Sequence, residues 1–149
     1  MPEETMIETF FEVRPIGPDT LRQAYAVMVL GFPALSFGAF RKIVTATRPG
    51  NLSGLFDRRG YVHAVFRTRV DLRPDGSQRL HVYDLVSSDS LSKSLASQMV
   101  HSLMRAARAR GCGELTVLSP AQRSANSHLA EILNRLGFSN DSVLMARQL

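Results

Sequence analysis

Leu95, Met99, Leu103 and Ala107 stand four residues apart, and Ala96 and Val100 widen the row they make. That spacing returns side chains to one side of an α-helix, so it predicts an apolar stripe backed by Ser97, Gln98, His101, Arg105 and Arg108. The end of the helix is equally marked. Arg108 and Arg110 oppose the negative pole of the helix dipole, and Gly111 supplies the left-handed residue that closes it. Glu114 to Leu118 then read as a short buried strand ended by Ser119-Pro120, and Leu129, Ile132, Leu133 and Leu136 as a last helix stopped by Gly137. Upstream lies a strand ending at Val86 and a polar loop, Ser87 to Ser92, with several candidate N-caps. The segment from Val86 to Phe138 is therefore a strand, loop, helix, strand, helix unit.

A striped helix has to bury its stripe against another layer. The rest of the chain supplies strands for that layer. Glu8 to Ile16 has strand composition, and Gly17-Pro18 breaks it. Thr20 to Gln23 reads as a capping box opening a helix whose Leu21, Ala24, Tyr25, Met28 and Val29 should face the core. Gly31-Phe32-Pro33 interrupts this helix, and a second begins after Ser36 with Phe37, Phe40 and Val44 on one face, ending at Arg48-Pro49-Gly50. From Leu52 the period becomes strand-like. Leu52 to Asp57, Tyr61 to Leu72 and Leu80 to Val86, separated by turns at Arg58-Arg59-Gly60 and Arg73-Pro74-Asp75-Gly76, form an antiparallel meander. Its middle strand sets Val62, Ala64, Phe66 and Thr68 against Tyr61, His63, Val65, Arg67 and Arg69. Ser142 to Ala146 can add a closing strand.

With 149 residues, 44% apolar and 21% charged, the chain has ordinary globular composition and reads as one domain over 1–149. The acidic start MPEETMIETFFEV lacks the basic and apolar regions of a leader, and no run approaches the length of a membrane span, so the chain reads as soluble and cytoplasmic. The net charge of +5 comes mostly from arginine, for Lys42 and Lys93 are the only lysines. These arginines are scattered rather than clustered. They read as a solvated surface, and anionic small molecules fit them as well as nucleic acid does, which is an unlikely partner. The lone Cys112, between two glycines, reads as small core filler rather than a reactive thiol. His63, His81, His101 and His128 have no metal-ligand spacing, so no metal is expected. No nucleophile elbow or Walker loop is present.

The element order is strand, two helices, three antiparallel strands, helix, strand, helix, strand. Together with Arg108-Ala109-Arg110-Gly111-Cys112-Gly113-Glu114-Leu115, Asn126 and Leu136-Gly137-Phe138, it resembles the GNAT superfamily of acyl-CoA-dependent N-acyltransferases over nearly the whole chain. The resemblance implies an α/β (α+β) fold with a mixed, mostly antiparallel central sheet flanked by about four helices. It also implies acetyl-CoA or another acyl-CoA as co-substrate, with a small-molecule or protein amine as acceptor. In such proteins a Q/R-x-x-G-x-G/A loop holds the coenzyme A pyrophosphate on free helix amides, where the positive dipole end attracts phosphate. Here the aligned stretch is Leu91-Ser92-Lys93-Ser94-Leu95-Ala96. Leu91 replaces Arg or Gln and Ser94 replaces glycine; the amides remain, and Lys93 adds charge.

By the same resemblance, the donor lies along Leu85 and Val86, with its pyrophosphate at Ser92, Lys93, Ser94, Leu95, Ala96 and Ser97 and Asn126 near the thiol. The proton-donating tyrosine of N-x-x-A-x-x-x-Y is missing, since Leu129 and Leu133 stand at its alanine and tyrosine positions. For the base that takes the amine proton, His81, Tyr83 and Asp84 are nearest. Alternation puts His81 and Tyr83 on one face and Asp84 on the other, unless a bulge exchanges them. An N-acyltransferase and a GNAT-fold binding or regulatory module without catalysis both remain open. The acceptor region, Ala24 to Pro49, is mostly apolar; Phe32, Leu35, Phe37 and Phe40 suit either an acceptor groove or a homodimer contact.

Overall fold

The computed structural model describes residues 11–48, 50–88, 93–117 and 133–138, with only the backbone of 93–95. The elements in chain order are β1 (Phe11–Pro15), α1 (Leu21–Gly31), α2 (Phe37–Ala46), β2 (Leu52–Asp57), β3 (Val62–Leu72), β4 (Gln78–Ser87), α3 (Lys93–Ala109) and β5 (Glu114–Val117). A helical turn at 133–135 follows. The sheet runs β1-β2-β3-β4-β5, antiparallel except for the parallel β4–β5 pair. A parallel neighbour requires a crossover connection, and α3 is that crossover. The sequence-predicted strand at Glu8 begins outside the described residues, as do Pro49, Leu129, Ile132 and the closing strand Ser142 to Ala146.

Both faces of the sheet are buried, each against its own helices. Met99, Val100, Leu103 and Ala107 of α3 pack on Leu55, Phe66, Leu80, Val82 and Leu85. Leu133, Leu136 and Phe138 extend that cluster. On the other face Ala24, Val27 and Met28 of α1 and Phe40 of α2 pack on Leu52, Phe56, Val65 and Val86. Gly54 lies in the middle of β2, where a Cβ would come 2.9 Å from the Ile16 Cδ1 and 3.1 Å from the Ala64 carbonyl oxygen. Only glycine lets these layers approach so closely. Gly111 adopts φ +76 and ends α3 as its sequence requires. Cys112 is buried in the α3-side cluster, in keeping with a packing role.

Three local expectations are corrected. Thr20 forms no capping box: its hydroxyl turns back to Gly17, accepting from the amide at 3.0 Å, and no side-chain bond caps α1. Gln23 instead reaches across the fold, its Oε1 accepting from the Val62 amide at 3.2 Å. The Gly17-Pro18 turn places Thr20 at φ −109, ψ 5, away from the extended geometry a capping hydroxyl uses. Val27 rather than Val29 is buried, because α1 is rotated toward β3 and β4. β5 is half-buried to exposed, not a fully buried strand.

Candidate active site

The geometry of the site follows from a fault in one ladder. Val65 pairs with Val86 and Arg67 with Tyr83, so the single residue Phe66 on β3 faces two, Asp84 and Leu85, on β4. This is a β-bulge, and its extra residue kinks the strand. Asp84 takes φ +55, the one positive φ outside glycine among the described residues. Asp tolerates this left-handed conformation better than most residues, but it is a sparsely populated one.

The bulge overturns the expectation from simple alternation. Asp84 does not point away from Tyr83: both meet Arg67 of β3. The Arg67 Nη1 lies 3.5 Å from the Asp84 Oδ2, and the guanidinium carbon sits 5.1 Å above the Tyr83 ring. The Arg67 Nε is buried and has no hydrogen-bond partner among the described residues. From sequence Arg67 is one of the scattered arginines and a member of the less apolar face of the middle meander strand, with no role in a site. Its position opposite a β4 aromatic was the available signal, but the pairing register that makes it one is set by the bulge.

Above this pair opens a cavity of about 520 Å³. The connection between α1 and α2 forms one wall, with Phe32, Pro33, Ala34 and Leu35, and Met28 and Ile43 contribute from the helices. The connection is held in shape by the Tyr25 hydroxyl, which donates to the Leu35 carbonyl at 2.7 Å, and by Ser36, whose Oγ accepts from the Ala39 amide at 3.0 Å and caps α2. Two of the four aromatic and aliphatic residues singled out for this region, Phe32 and Leu35, line the cavity. The other two do not: Phe40 is fully buried, and Phe37 packs edge-on against Tyr25.

His81 and Tyr83 stack with centroids 5.6 Å apart. The His81 Nδ1 bonds the Thr116 hydroxyl of β5, and neither His81 nor Tyr83 lines the cavity. Burial holds His81 below its ordinary pKa, helped by Arg69 and Arg79 and opposed by Asp71. It is neutral near neutral pH. His63 lies elsewhere, its Nε2 2.8 Å from the Asp57 carboxylate at the β2–β3 turn. Among the described residues no group of three His, Cys, Asp or Glu side chains converges as a metal site would require, and no helix is long and apolar enough to cross a membrane.

The donor end begins where the bulge ends. β4 pairs with β5 as far as Val82 with Val117; among the described residues, Tyr83 to Ser87 have no β5 partner. Among the described residues that stretch of β4 keeps one edge unpaired at its carboxyl end, ahead of α3 in the chain, and open α/β sheets take ligands in crevices of that kind. Leu85 and Val86 turn their side chains into opposite cores, so their backbone is what they can offer. The Ser87 hydroxyl is buried and has no partner among the described residues. Ala96 of α3 is buried and Ser97 is half-buried. Leu91, Ser92 and Asn126 lie outside the described residues, as do the side chains of Lys93, Ser94 and Leu95. Leu133, at the position where the resemblance has a tyrosine, packs against the α3-side core.

No protein-family model matches the sequence, and no curated protein does. Solved structures do. The chain is similar to aminoglycoside N-acetyltransferase AAC(6')-Iy in complex with CoA, with TM-score 0.69 and 14% identity over 93% of this chain and 95% of that one. It is similar to a transcriptional regulator from Bacillus halodurans C-125, with TM-score 0.68 and 16% identity over 94% of this chain and 100% of that one. Glucosamine-6-phosphate N-acetyltransferase from Arabidopsis thaliana matches with TM-score 0.61 and 18% identity, over 93% of this chain and 98% of that one. At these identities the likeness is one of fold, and the fold is that of the GNAT superfamily.

Proposed function

We propose that this GNAT-fold chain is an N-acyltransferase that moves an acetyl or other acyl group from coenzyme A to an amine held over Asp84. The observation that carries the reading is the bulge of β4. The bulge turns a carboxylate, beside Arg67, into an apolar cavity, and the stretch of β4 from Tyr83 on has no β5 partner among the described residues. The similar structures titled as N-acetyltransferases, one of them with CoA, support it.

In this reading the pantetheine arm adds to the open edge at Leu85 and Val86 through backbone hydrogen bonds. The pyrophosphate meets the first amides of α3, in the stretch Ser92, Lys93, Ser94, Leu95, Ala96 and Ser97. Phosphate is favoured there by the helix dipole and the Lys93 charge. Asp84 takes a proton from the acceptor ammonium, directly or through one water, and the freed amine attacks the thioester carbonyl. His81 and Tyr83 support Arg67 and Asp84 from the adjoining strand position, and Asn126 sits near the thiol. With Leu133 apolar, the leaving thiolate takes its proton from water. Thiols are acidic enough, at about 8.5, for this to slow the reaction rather than stop it.

The test is release of free coenzyme A thiol from acetyl-CoA and longer acyl-CoAs in the presence of an amine panel, alongside calorimetric titration of each acyl-CoA. Heat on titration with amine-dependent thiol release sustains the reading. Absence of any heat or thermal shift at millimolar acyl-CoA sinks it. Binding without transfer to any amine would favour the second reading, a regulatory or binding module, to which the apolar Leu133 and the similarity to a structure titled as a transcriptional regulator lend support.

A further inference from the structure

We infer that the acceptor for this cavity is a free α-amino acid with an apolar side chain, its ammonium on Asp84 and its carboxylate on Arg67. The transfer step of this inference rests on the acyltransferase reading, whereas the binding step does not.

The charge inventory of the cavity is short. Arg67 and Asp84 are the charged residues that line it, of opposite sign and side by side, and the remaining lining is apolar apart from Ser36. Their 3.5 Å separation is longer than the roughly 2.7–2.9 Å of a strong charge-assisted bond. Neither group is saturated by the other. The guanidinium has five N–H donors, and its contact with Asp84 is a single long one from Nη1. The Tyr83 ring lies 5.1 Å from the guanidinium carbon, a cation–π contact that leaves the planar fork free for two-point recognition of a carboxylate.

Each simpler acceptor leaves something unsatisfied. A plain alkylamine would engage Asp84 and leave the guanidinium facing an apolar group. An amine carrying several positive charges would meet one carboxylate, an adjacent cation and walls of Phe32, Leu35 and Ile43. An α-amino acid supplies both charges at the right separation on one carbon and directs its side chain at those walls. The volume of about 520 Å³ accommodates a leucine-sized molecule with room for the thioester end of the donor.

The step balances without a further reactant. The ammonium loses one proton to Asp84, and the nitrogen lone pair forms the C–N bond at the thioester carbonyl. The C–S bond breaks with its electron pair on sulfur, and the nitrogen sheds a second proton. One proton finishes on the thiol and one is released, so each turnover yields an N-acyl amino acid, coenzyme A and one proton.

Calorimetric titration of leucine, leucinamide and isoamylamine into the full chain, without acyl-CoA, tests the binding step. Leucine is expected to bind at least about tenfold more tightly than either analogue, as loss of a charge-assisted bond implies. In Arg67→Met that preference collapses to within about threefold, while Arg67→Lys retains part of it. The comparison is made between ligands on one variant, so partial unfolding of the variant cancels. Leucine binding no tighter than isoamylamine in the unaltered chain overturns the inference, even where thiol release shows that amines are acylated. Tight leucine binding without acyl transfer sustains it and removes the acyltransferase reading instead.

Discussion

From Arg79 to Val82, β4 is paired on both edges, with β3 and with β5, whereas from Tyr83 to Ser87 it has, among the described residues, β3 alone as a partner and pairs with it through a bulge. The first half puts Leu80 and Val82 into the α3-side core and keeps Arg79 at the surface, where its Nη2 lies 3.3 Å from Glu114. The second half gives up regular pairing, and there a carboxylate, a cavity and, among the described residues, a strand edge without a partner come together. A regular ladder satisfies every backbone group and has nothing left for a ligand; an irregular one has spare amides and re-aimed side chains. In one strand, stability and the candidate chemistry are thus assigned to different halves.

The sharpest way to break that division is Asp84→Asn, which keeps size and shape but not basicity. Acyl transfer should fall by about 10²- to 10⁴-fold with the melting temperature nearly unchanged, because the half-exposed Arg67 pair contributes little to stability. Retention of full activity would remove Asp84 from the chemistry. Next in size, Leu80→Ala in the fully paired half should cost about 2–5 kcal/mol in denaturant unfolding, while activity per folded molecule stays the same. A large loss of turnover in the folded fraction would show that the two halves are not separable.

Two smaller effects refine the picture. Asp84→Ala and Asp84→Gly lose the same carboxylate, but only glycine accepts φ +55 freely, so the glycine variant should be the more stable by about 1 kcal/mol. Equal stabilities would mean that the bulge relaxes when Asp84 is lost. His81 belongs to the half paired on both edges, and burial, then Arg69, lowers its pKa. A depressed histidine binds its proton less readily in the folded state, so its contribution is present above the unfolded value of about 6.5 and lost as pH falls below it. His81→Asn should therefore flatten the decline in melting temperature as pH falls below about 6.5; an unaltered profile would assign that decline to other groups.

How much of this was legible depends on the range of the interaction that decides each feature. The α3 stripe, its Gly111 stop and the meander turns come from neighbours within a few residues, and the structure reproduces them. The capping box at Thr20 was a local pattern outcompeted by a distant group, since Gln23 satisfies Val62 from across the fold. Asp84 was named among the candidate bases but assigned to the wrong face, because strict alternation holds only in a ladder without an extra residue. Arg67 was passed over for the same reason. Its partners become visible once the register of β3 against β4 is known.

By itself the sequence determined the order of elements, the apolar face of α3 and the start of that helix after β4, because side-chain period, capping and backbone freedom act over one or two turns. The tertiary structure alone decided that Asp84 and Arg67 share a cavity beneath the α1–α2 connection. The extra residue in β4 is absorbed where helices on both faces have already committed Leu85 and Val86 to opposite cores, and that compromise re-aims the one side chain left between Tyr83 and Leu85.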